Sequence, residues 1–444
     1  MKTNYSERAI VIGAGLSGLA AAQALQARGI HVTILEASRR VADPWRARHP
    51  QLRLNIHRHF AGLPGKPMTR EDGTFVRRDT VVSYLETYAS QLRHKIRFST
   101  SVKGLSRDGD VWRVQTAWGE YVAGHVVIAT GRDRIPTIPV WPGMDGFGGK
   151  IVHAADFGDV AQYEGRKVLV IGAGNSGTDV LNHLARIEPA KVWVSVRHGP
   201  AILPTRILGF PLHRLAKLFT RVPKWSLDPS FAALQWLAFG NLRRFGLRSH
   251  PMGGGSRMHR EGVTFALDDG FVAALKAGRF EAVAETVGFD DYRVELADGR
   301  RVGPDIVICA TGYRSGLEQL FGDFDVLDQN GHPRHPMGQA DPDHPGLWFS
   351  GFTPGFTGYF HAAGVTADRI ARQIERSQAA RSMNEQRHLD RDLTSLSGLQ
   401  DHELMDMGLS RSELTPEGLS NAGARRSRQS GTVTSPFAST GASQ

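Results

Sequence analysis

A glycine-spaced turn that occurs twice limits what this chain can fold into more than any other feature. The first copy lies in Ala9–Glu36, AIVIGAGLSGLAAAQALQARGIHVTILE. Ala9–Ile12 is a short β-branched run that predicts a buried strand, and Gly13, Gly15 and Gly18 follow in G-x-G-x-x-G spacing. Leu16–Ala27 has helical composition, with Ser17 in its first turn and Gly29 placed to end it. His31–Leu35 reads as a second strand, closed by Glu36. Gly13 permits the tight turn, Gly15 lets backbone approach a pyrophosphate, and Gly18 lets helix pack close on strand. The helix N-terminus offers free N–H groups and the positive end of its dipole to phosphates. Glu36 is placed to accept hydrogen bonds from a ribose diol. The spacing alone is a weak signal, but strand, helix, second strand and terminal acid together predict a dinucleotide site. The alternative is a glycine-rich turn with no ligand.

The pattern then recurs. Arg166–Ile171 predicts a strand; Gly172, Gly174 and Gly177 repeat the spacing, with Asn175 and Ser176 between them. Thr178–Arg186 reads as the helix and Lys191–Val196 as the next strand, and Arg197 sits where Glu36 sat. Each copy leads, after a long excursion, to a hydrophobic strand ending in Ala-Thr-Gly: Ala129–Thr130–Gly131 and Ala310–Thr311–Gly312. Two such turns imply two dinucleotides on an α/β fold, two Rossmann-like domains with the second inserted in the first. The expected boundaries are 1–165 with 306–376 for the first domain and 166–305 for the second. Arg197 distinguishes the two sites. An acid there would repel a 2′-phosphate, whereas a guanidinium binds it through charge-assisted bonds. His198 can add a donor. The second site therefore reads as NADPH and the first as FAD; the alternative for Arg197 is a surface residue at a strand end.

Composition excludes several classes. With 41% hydrophobic and 22% charged residues the chain is an ordinary globular one. No signal peptide is expected, because the apolar run from Ala9 is a strand broken by glycine, and no apolar stretch is long enough to span a bilayer. The single cysteine, Cys309, permits no intrachain disulfide, CxxC pair or thiolate metal cluster and points to the reducing cytoplasm. A formal charge of +10 suits nucleic acid or an anionic membrane. Phosphate-bearing cofactors and an Arg-rich tail explain it as well, so no nucleic acid is expected at the core.

Helical spacing marks Asp79–Ser90 and Ala362–Arg376, and strands are expected at Gln51–Phe60, Ile96–Val102, Val111–Thr116, Tyr121–Gly131 and Gly346–Gly351. Between Pro200 and Glu261, apolar stretches alternate with Arg206, Arg214, Lys217, Arg221, Lys224, Arg243 and Arg244. Basic amphipathic helices of this kind lie on membranes; the preferred reading is a helical cover over a substrate passage. From 377 the chain turns polar: Arg387–Leu414 keeps helical spacing and resembles the short Arg-rich domain of small proteobacterial proteins. Ser420–Gln444 is rich in Ser, Gly and Thr and reads as disordered.

The link between the halves is the most specific signal. Phe147, Gly149, His153 and Phe157 fit F-x-G-x-x-x-H-x-x-x-F within FGGKIVHAADF. With the two turns and both Ala-Thr-Gly segments, this makes residues 7–376 resemble the flavin-containing monooxygenases, a family of class B flavoprotein monooxygenases. The nearest branch is that of the plant YUCCA-type enzymes and their bacterial relatives, on LRLNIHRHFAGLP (Leu52–Pro64), SVRHGPAILPTRILG (Ser195–Gly209) and ATGY (Ala310–Tyr313). Baeyer–Villiger relatives usually close the fingerprint with Trp; Phe157 closes it here, which favours heteroatom or oxo-acid oxygenation.

The resemblance implies that Gly13, Gly15, Gly18 and Glu36 hold FAD, with Trp45 close to the flavin and Val102 giving a backbone contact to adenine. It implies that Gly172, Gly174, Asn175, Ser176, Gly177 and Arg197 hold NADPH. Ser17, Thr130, Gly131, His198, Thr311, Gly312 and Gly351 complete the candidate cofactor set. Asn55 falls where the family has an Asn at the flavin C4a edge and is the candidate catalytic residue. Two departures stand out. The family's Gly-Gly before the Trp is Asp43–Pro44 here, preceded by Ala42, and Phe352 follows Gly351 where many two-site flavoproteins have Asp. No metal-ligand spacing is evident among the 18 histidines, including His57, His59 and His361.

Without a redox cysteine pair the chemistry must sit on the flavin. The family implies that NADPH reduces FAD and that O2 forms a C4a-hydroperoxyflavin, which passes one oxygen atom to a small organic substrate. The competing functions are an NADPH oxidase or reductase flavoprotein, a Baeyer–Villiger monooxygenase, and a cofactor-binding regulator whose tail recruits RNA or protein.

Overall fold

The structure is a computed structural model that describes residues 8–322, 324–397, 400–406 and 409–415. Contacts divide the chain into two units, Met1–Ile374 and Glu375–Gln444. Two five-stranded parallel sheets organise the first unit. The first runs in the order Leu347–Phe349, His125–Ile128, Arg8–Ile12, His31–Leu35, Ile96–Arg97. The second runs Lys150–His153, Ile306–Cys309, Lys167–Ile171, Lys191–Ser195, Phe280–Val283. Parallel strands are covered on both faces, so their sequences are continuous apolar runs rather than alternations. Val126–Ile128 and Ile306–Cys309 are buried at every position. In each sheet the central strand has the next strand in sequence on one side and a sequence-remote strand on the other. The crevice at its carboxyl end is therefore a topological switch point, where such folds bind ligands.

Helix Leu16–Gln26 lies behind the first glycine turn and buries Leu19, Ala20, Ala21, Ala22 and Leu25. Small residues at three successive positions let it lie close to the sheet, and each buried leucine contributes about 1.5–3 kcal/mol.

The strand registers correct the expected domain boundaries. Lys150–His153, assigned above to the first domain, pairs with Ile306–Cys309, and Ile306–Cys309 pairs with Lys167–Ile171. Both belong to the second sheet. A buried apolar run does not reveal which sheet it joins, and the likeness of the two Ala-Thr-Gly endings concealed the difference. The crossings between sheets are a short ribbon, Ile135–Pro136 paired antiparallel with Tyr313–Arg314. Two other expected strands are divided. Tyr121–Gly131 becomes Gly119–Ala123, in an antiparallel meander with Val102–Asp108 and Val111–Thr116, and then His125–Ile128. Ile96–Val102 is interrupted where Ser99 takes φ +53°.

The segment after Pro200 forms a hairpin, Arg206–Ile207 with Phe210–Pro211, and then helices Ala216–Phe219, Lys224–Phe239 and Gly254–Arg260. Helix Gly358–Ser397 starts before the expected Ala362 and continues past Arg376. Polarity alone did not end it, because no Gly or Pro occurs between Val365 and Ser397. In the second unit, Asp401–Asp406 is helical, Arg411 Nε pairs with Asp401 at 2.7 Å, and Leu404 and Leu409 are buried. The expected disordered stretch Ser420–Gln444 lies outside the described residues. No helix among the described residues is long and apolar enough to cross a membrane.

Candidate functional site

The two glycine turns fold into near-identical cradles. Gly13 takes φ +103° and Gly172 φ +93°. A Cβ on either would stand 2.7 Å from a carbonyl oxygen, that of Ala129 or Ala310. A Cβ on Gly18 would lie 1.9 Å from Gly13 O, and one on Gly177 2.0 Å from Gly172 O. These four glycines are fixed by the fold itself. Gly15 and Gly174 differ: a Cβ there would meet nothing within 4 Å. Each is the N-cap of its helix without a side-chain cap, so the first-turn N–H groups remain open to an anion.

Around the first cradle, Glu36 Oε2 accepts from Ala14 N at 2.6 Å and Oε1 accepts from Ser38 N at 2.7 Å. Both carboxylate oxygens are thus oriented from the backbone and keep further lone pairs for a diol. The Thr130 hydroxyl is buried with no hydrogen-bond partner among the described residues, as are those of Ser350 and Thr353. Buried hydroxyls left unpaired cost free energy, and a polar ligand would satisfy them. Gly351 takes φ +89°, and a Cβ there would strike Ser17 Oγ at 2.4 Å. Open space at Gly15, an oriented acid and unpaired hydroxyls fit a dinucleotide.

A cavity of about 760 Å³ begins at this cradle. Gly13, Gly15, Ser17, Glu36, Trp45, Val102, Thr130, Gly131 and Gly351 line one end. Asn55 and Asn175 line it too, and Leu212, Phe219, Phe231, Phe265 and Phe356 form its apolar end. Strand Arg53–His57 leaves Arg53 and Asn55 exposed while Ile56 is buried. The expected alternation therefore runs as far as Ile56, and a register shift between Arg53 and His57 then buries His57 as well. Asn55 Nδ2 donates to Asn175 Oδ1 at 3.4 Å, and Asn175 Nδ2 donates to Thr264 Oγ1. This chain orients the Asn55 amide and ties the strand to the second cradle. The far end is an aromatic cluster, with Phe231 4.2 Å from Phe265 and 5.7 Å from Phe356 between ring centres. Phe219, Phe231 and Met258, on the helices after Pro200, thus line the cavity with their inner faces. Near it, His57 N donates to His213 Nδ1 at 3.1 Å. Burial pushes the His213 imidazole down to about 4, against a hydrogen bond to the Phe356 backbone.

Trp45 lines the cavity and lies 6.1 Å from Phe360. Before it, Ala42 takes φ +65°, a left-handed conformation that an alanine adopts at some cost. The turn keeps a glycine-like backbone although its residues are not glycine.

At the second cradle, Ser176 is half-buried in the first helical turn. Arg197 is exposed and paired with Glu285 at 3.1 Å, and the His198 ring lies 5.0 Å from that of His250. Nothing in the residues around Glu285 marks it as a competitor for that guanidinium. Thr311 and Gly312 do not line the cavity. Thr311 Oγ1 donates to Thr137 O at 2.5 Å, and Gly312 O accepts from Thr137 N and faces His153 Nε2, each at 3.0 Å. Their hydroxyl and carbonyl oxygens thus engage Thr137, beside the Ile135–Pro136 strand.

Of the fingerprint residues, Phe147 shares an apolar cluster with Ile138 and Trp141, and His153 contacts Gly312. Phe147 packs edge-on against Phe289 at 5.4 Å, and a Cβ on Gly149 would strike the Phe147 ring at 2.5 Å. His153 Nδ1 accepts from Ala155 N at 3.0 Å, which leaves Nε2 as the N–H that donates to Gly312 O. Burial lowers its pKa and agrees with that neutral tautomer. His153 stands edge-on to Tyr313 at 4.9 Å, and Tyr313 OH accepts from Arg48, a cavity residue. Phe157 is fully buried, stacked on Tyr163 at 4.9 Å and edge-on to His49 at 5.3 Å.

His49 belongs to a group that sequence spacing did not reveal. Its Nε2 lies 2.9 Å from Asp179 Oδ2, and His183 Nε2 lies 3.6 Å from Asp179 Oδ1. Burial would raise the Asp179 pKa, but the bonds from His183 and His49 overcome this and hold it down at about 2. These three are residue types that bind metals, and their ligand atoms all lie within 4.8 Å of one another. Here they close on each other, with His49 hydrogen-bonded to Asp179 and His183 in polar contact with it, and His49 joins the loop after Trp45 to the second cradle's helix. Cys309 is buried in the second sheet, with its thiol pushed up to about 12 by burial.

Residues 10–201 match a family described as pyridine nucleotide-disulphide oxidoreductase. The lone cysteine leaves this chain only the nucleotide-binding part of that description. The probable indole-3-pyruvate monooxygenase YUCCA3 of Arabidopsis thaliana is 31% identical over 398 residues, covering 85% of this chain and 90% of the relative. The indole-3-pyruvate monooxygenase YUCCA1 of Oryza sativa subsp. japonica is 34% identical over 351 residues, covering 78% and 86%. Among solved structures, a flavin-containing monooxygenase from Stenotrophomonas maltophilia superposes with a TM-score of 0.62 at 23% identity, over 83% of this chain and 97% of that one; this likeness supports the fold. Two parallel-sheet cradles, an oriented acid at the first and 31–34% identity to these enzymes over most of the chain lead to one conclusion: the chain belongs to the flavin-containing monooxygenases, FAD- and NADPH-dependent enzymes, on their YUCCA-like branch.

Proposed function

We propose that this monooxygenase acts on an aryl-substituted 2-oxo acid, of the kind named for its plant relatives. The observation that carries the reading is the single cavity joining the first cradle to Asn55, Asn175 and the aromatic cover. Its far end suits a flat apolar body, and Arg132 and Arg134 on its wall suit a carboxylate. The bound FAD and NADPH supply two electrons to O2, so that one oxygen atom enters the substrate and the other leaves as water. For an acid R–CO–COOH, the bond between carbonyl and carboxyl breaks. R–COOH, CO2 and H2O form from the acid, O2, two electrons and two protons.

In this reading Gly13, Gly15, Ser17, Gly18 and Glu36 hold the adenosine and pyrophosphate part of FAD. Val102, Thr130, Gly131 and Gly351 add polar contacts and close backbone approach, and Trp45 covers the flavin end. Gly172, Gly174, Asn175, Ser176 and Gly177 receive the NADPH pyrophosphate, with Arg197 and His198 at the 2′-phosphate. Phe147, Gly149, His153 and Phe157 are positioning residues, as are Thr311 and Gly312. Asn55 is the catalytic residue: its amide, oriented through Asn175 and Thr264, donates a hydrogen bond into the cavity, where substrate and oxygen meet. The apolar cover excludes water, which favours oxygen transfer over loss of peroxide. The lone buried cysteine supports a cytoplasmic location.

The test is NADPH consumption against amines, thioethers, ketones and aryl 2-oxo acids, with H2O2 and CO2 counted. An aryl oxo acid should speed consumption and release one CO2 per NADPH, and Asn55→Ala should keep FAD content and flavin reduction while sending most oxygen to H2O2. Preference for an amine or thioether would overturn the substrate class. Full conversion to H2O2 with every class would favour the oxidase alternative.

A further inference from the structure

Helix Lys224–Phe239 has an outer face that its inner role leaves unexplained. Its buried side, Leu227, Phe231 and Phe239, packs under the cover. Its solvent side carries Trp225, Pro229, Ser230, Ala232, Ala233, Trp236, Leu237 and Ala238 and, among the described side chains, no charged residue. Trp225 is 83%, Trp236 67% and Leu237 78% exposed. At 100° per residue Trp225 and Trp236 fall within 20° of one another, so both tryptophans share one stripe. A helix face with two tryptophans and a leucine normally packs in a core or against lipid, yet this one faces solvent. Beside it stands the Arg206–Pro211 hairpin. Its tip, Leu208, is held at φ +47° and is wholly exposed. Hairpin and helix are neighbours: Arg206 and Ile207 share one recess of about 410 Å³ with Ala238 and Phe239.

Charge identifies the occupant. Residues 206–248 hold eight Lys or Arg against a single acid, Asp228. Asp228 is turned inward, where it accepts from Ser256 N at 3.0 Å and from Ser256 Oγ at 2.5 Å. Exposed Arg221 lies before the apolar helix, and Arg243 and Arg244 lie after it. Asp269, at the recess, is paired with Arg186. Two copies of so basic a face would repel one another, and an acidic protein partner gives no reason for two exposed tryptophans. Tryptophan favours the boundary between lipid headgroups and acyl chains, and lysine and arginine favour anionic headgroups.

We propose that the face formed by the Arg206–Pro211 hairpin and helix Lys224–Phe239 docks on an anionic lipid surface. The chain rests on the membrane without spanning it, and the inner side of the same helices lines the substrate cavity. Neither the docking nor its test depends on the identity of the substrate.

The experiment is co-sedimentation of the full FAD-loaded chain with phosphatidylcholine vesicles, with and without phosphatidylglycerol, at low and high salt. Binding should require phosphatidylglycerol and weaken with salt. Trp225→Ser with Trp236→Ser should reduce partitioning about tenfold or more and abolish a lipid-induced blue shift of tryptophan fluorescence, with FAD content and NADPH-driven flavin reduction unchanged. Arg243→Gln and Arg244→Gln should each cost about fivefold. Should the tryptophan pair lose FAD, the arginine variants and the wild-type salt series decide. Equal binding to both vesicle types, no binding at low salt, or undiminished binding by the variants would overturn the proposal. So would a lipid-free dimer that the tryptophan variant dissolves, because the face would then belong to a second copy.

Discussion

Arg197→Ala should weaken NADPH far more than NADH, by an amount set by a competitor. A hydrogen bond to a charged group contributes about 1.5–3 kcal/mol. Arg197 is not idle without that phosphate, since it holds Glu285 at 3.1 Å with both side chains largely exposed. Exchanging that partner for a phosphate gives up about 0.2–1 kcal/mol. The net loss on truncation is about 0.5–2.8 kcal/mol, or roughly two- to a hundredfold in affinity. The same reasoning fixes the sign of a second variant: Glu285→Gln frees the guanidinium and should tighten NADPH by up to about fivefold. Stopped-flow titration of flavin reduction gives Kd for each nicotinamide directly. Equal losses for NADPH and NADH in Arg197→Ala would show that the residue does not read the 2′-phosphate. Weaker NADPH binding in Glu285→Gln would show that the acid orients the guanidinium rather than competing for it.

The two kinds of glycine should separate cleanly. Gly18→Ala drives a Cβ to 1.9 Å from Gly13 O and should fail to give folded protein, whereas Gly15→Ala meets nothing and should fold with a normal Tm when cofactor-free but hold far less FAD per chain. His213 has a folded pKa of about 4 against the ordinary 6.5, so the unfolded state binds more protons between those values. Its contribution is whole above about 6.5 and falls as pH drops toward 4, a change on the order of 3 kcal/mol; His213→Asn should flatten Tm against pH in that window, and an unchanged slope would assign the acid sensitivity elsewhere. Deleting the chain from Gln378 should leave FAD content and NADPH oxidation nearly intact, because both cradles and the cavity lie in Met1–Ile374; a truncated chain without FAD would refute this.

Sequence made the cradles legible because their geometry is local. A tight turn and two close backbone approaches need glycine at fixed offsets, whatever surrounds them. The fingerprint was equally legible as a pattern but not as a role, since His153 acts through Gly312 and Tyr313. Contacts between remote segments stayed hidden. His49 and Asp179 are 130 residues apart, and nothing in their neighbourhoods signals the pairing. Thr130 and Thr311 occupy matching sequence contexts, yet one hydroxyl is unpartnered on the cavity wall and the other is spent on Thr137. Periodicity reports that a run is buried; the neighbours that bury it depend on the rest of the chain.

The ribbon of Ile135–Pro136 and Tyr313–Arg314 bears on the order in which the chain can fold. Its two strands are hydrogen-bonded side by side, so the chain enters and leaves the second sheet at nearly the same point. All five strands of that sheet lie between Lys150 and Cys309 and can assemble without the rest of the protein. The first sheet cannot: its edge strand, Leu347–Phe349, is synthesised after the whole of the second. Domains fold as units as they emerge during synthesis, and pairings across long separations close slowly. The amino-terminal cradle is therefore translated first and completed last, and during synthesis the exposed edge of His125–Ile128 waits through more than two hundred residues for its neighbour.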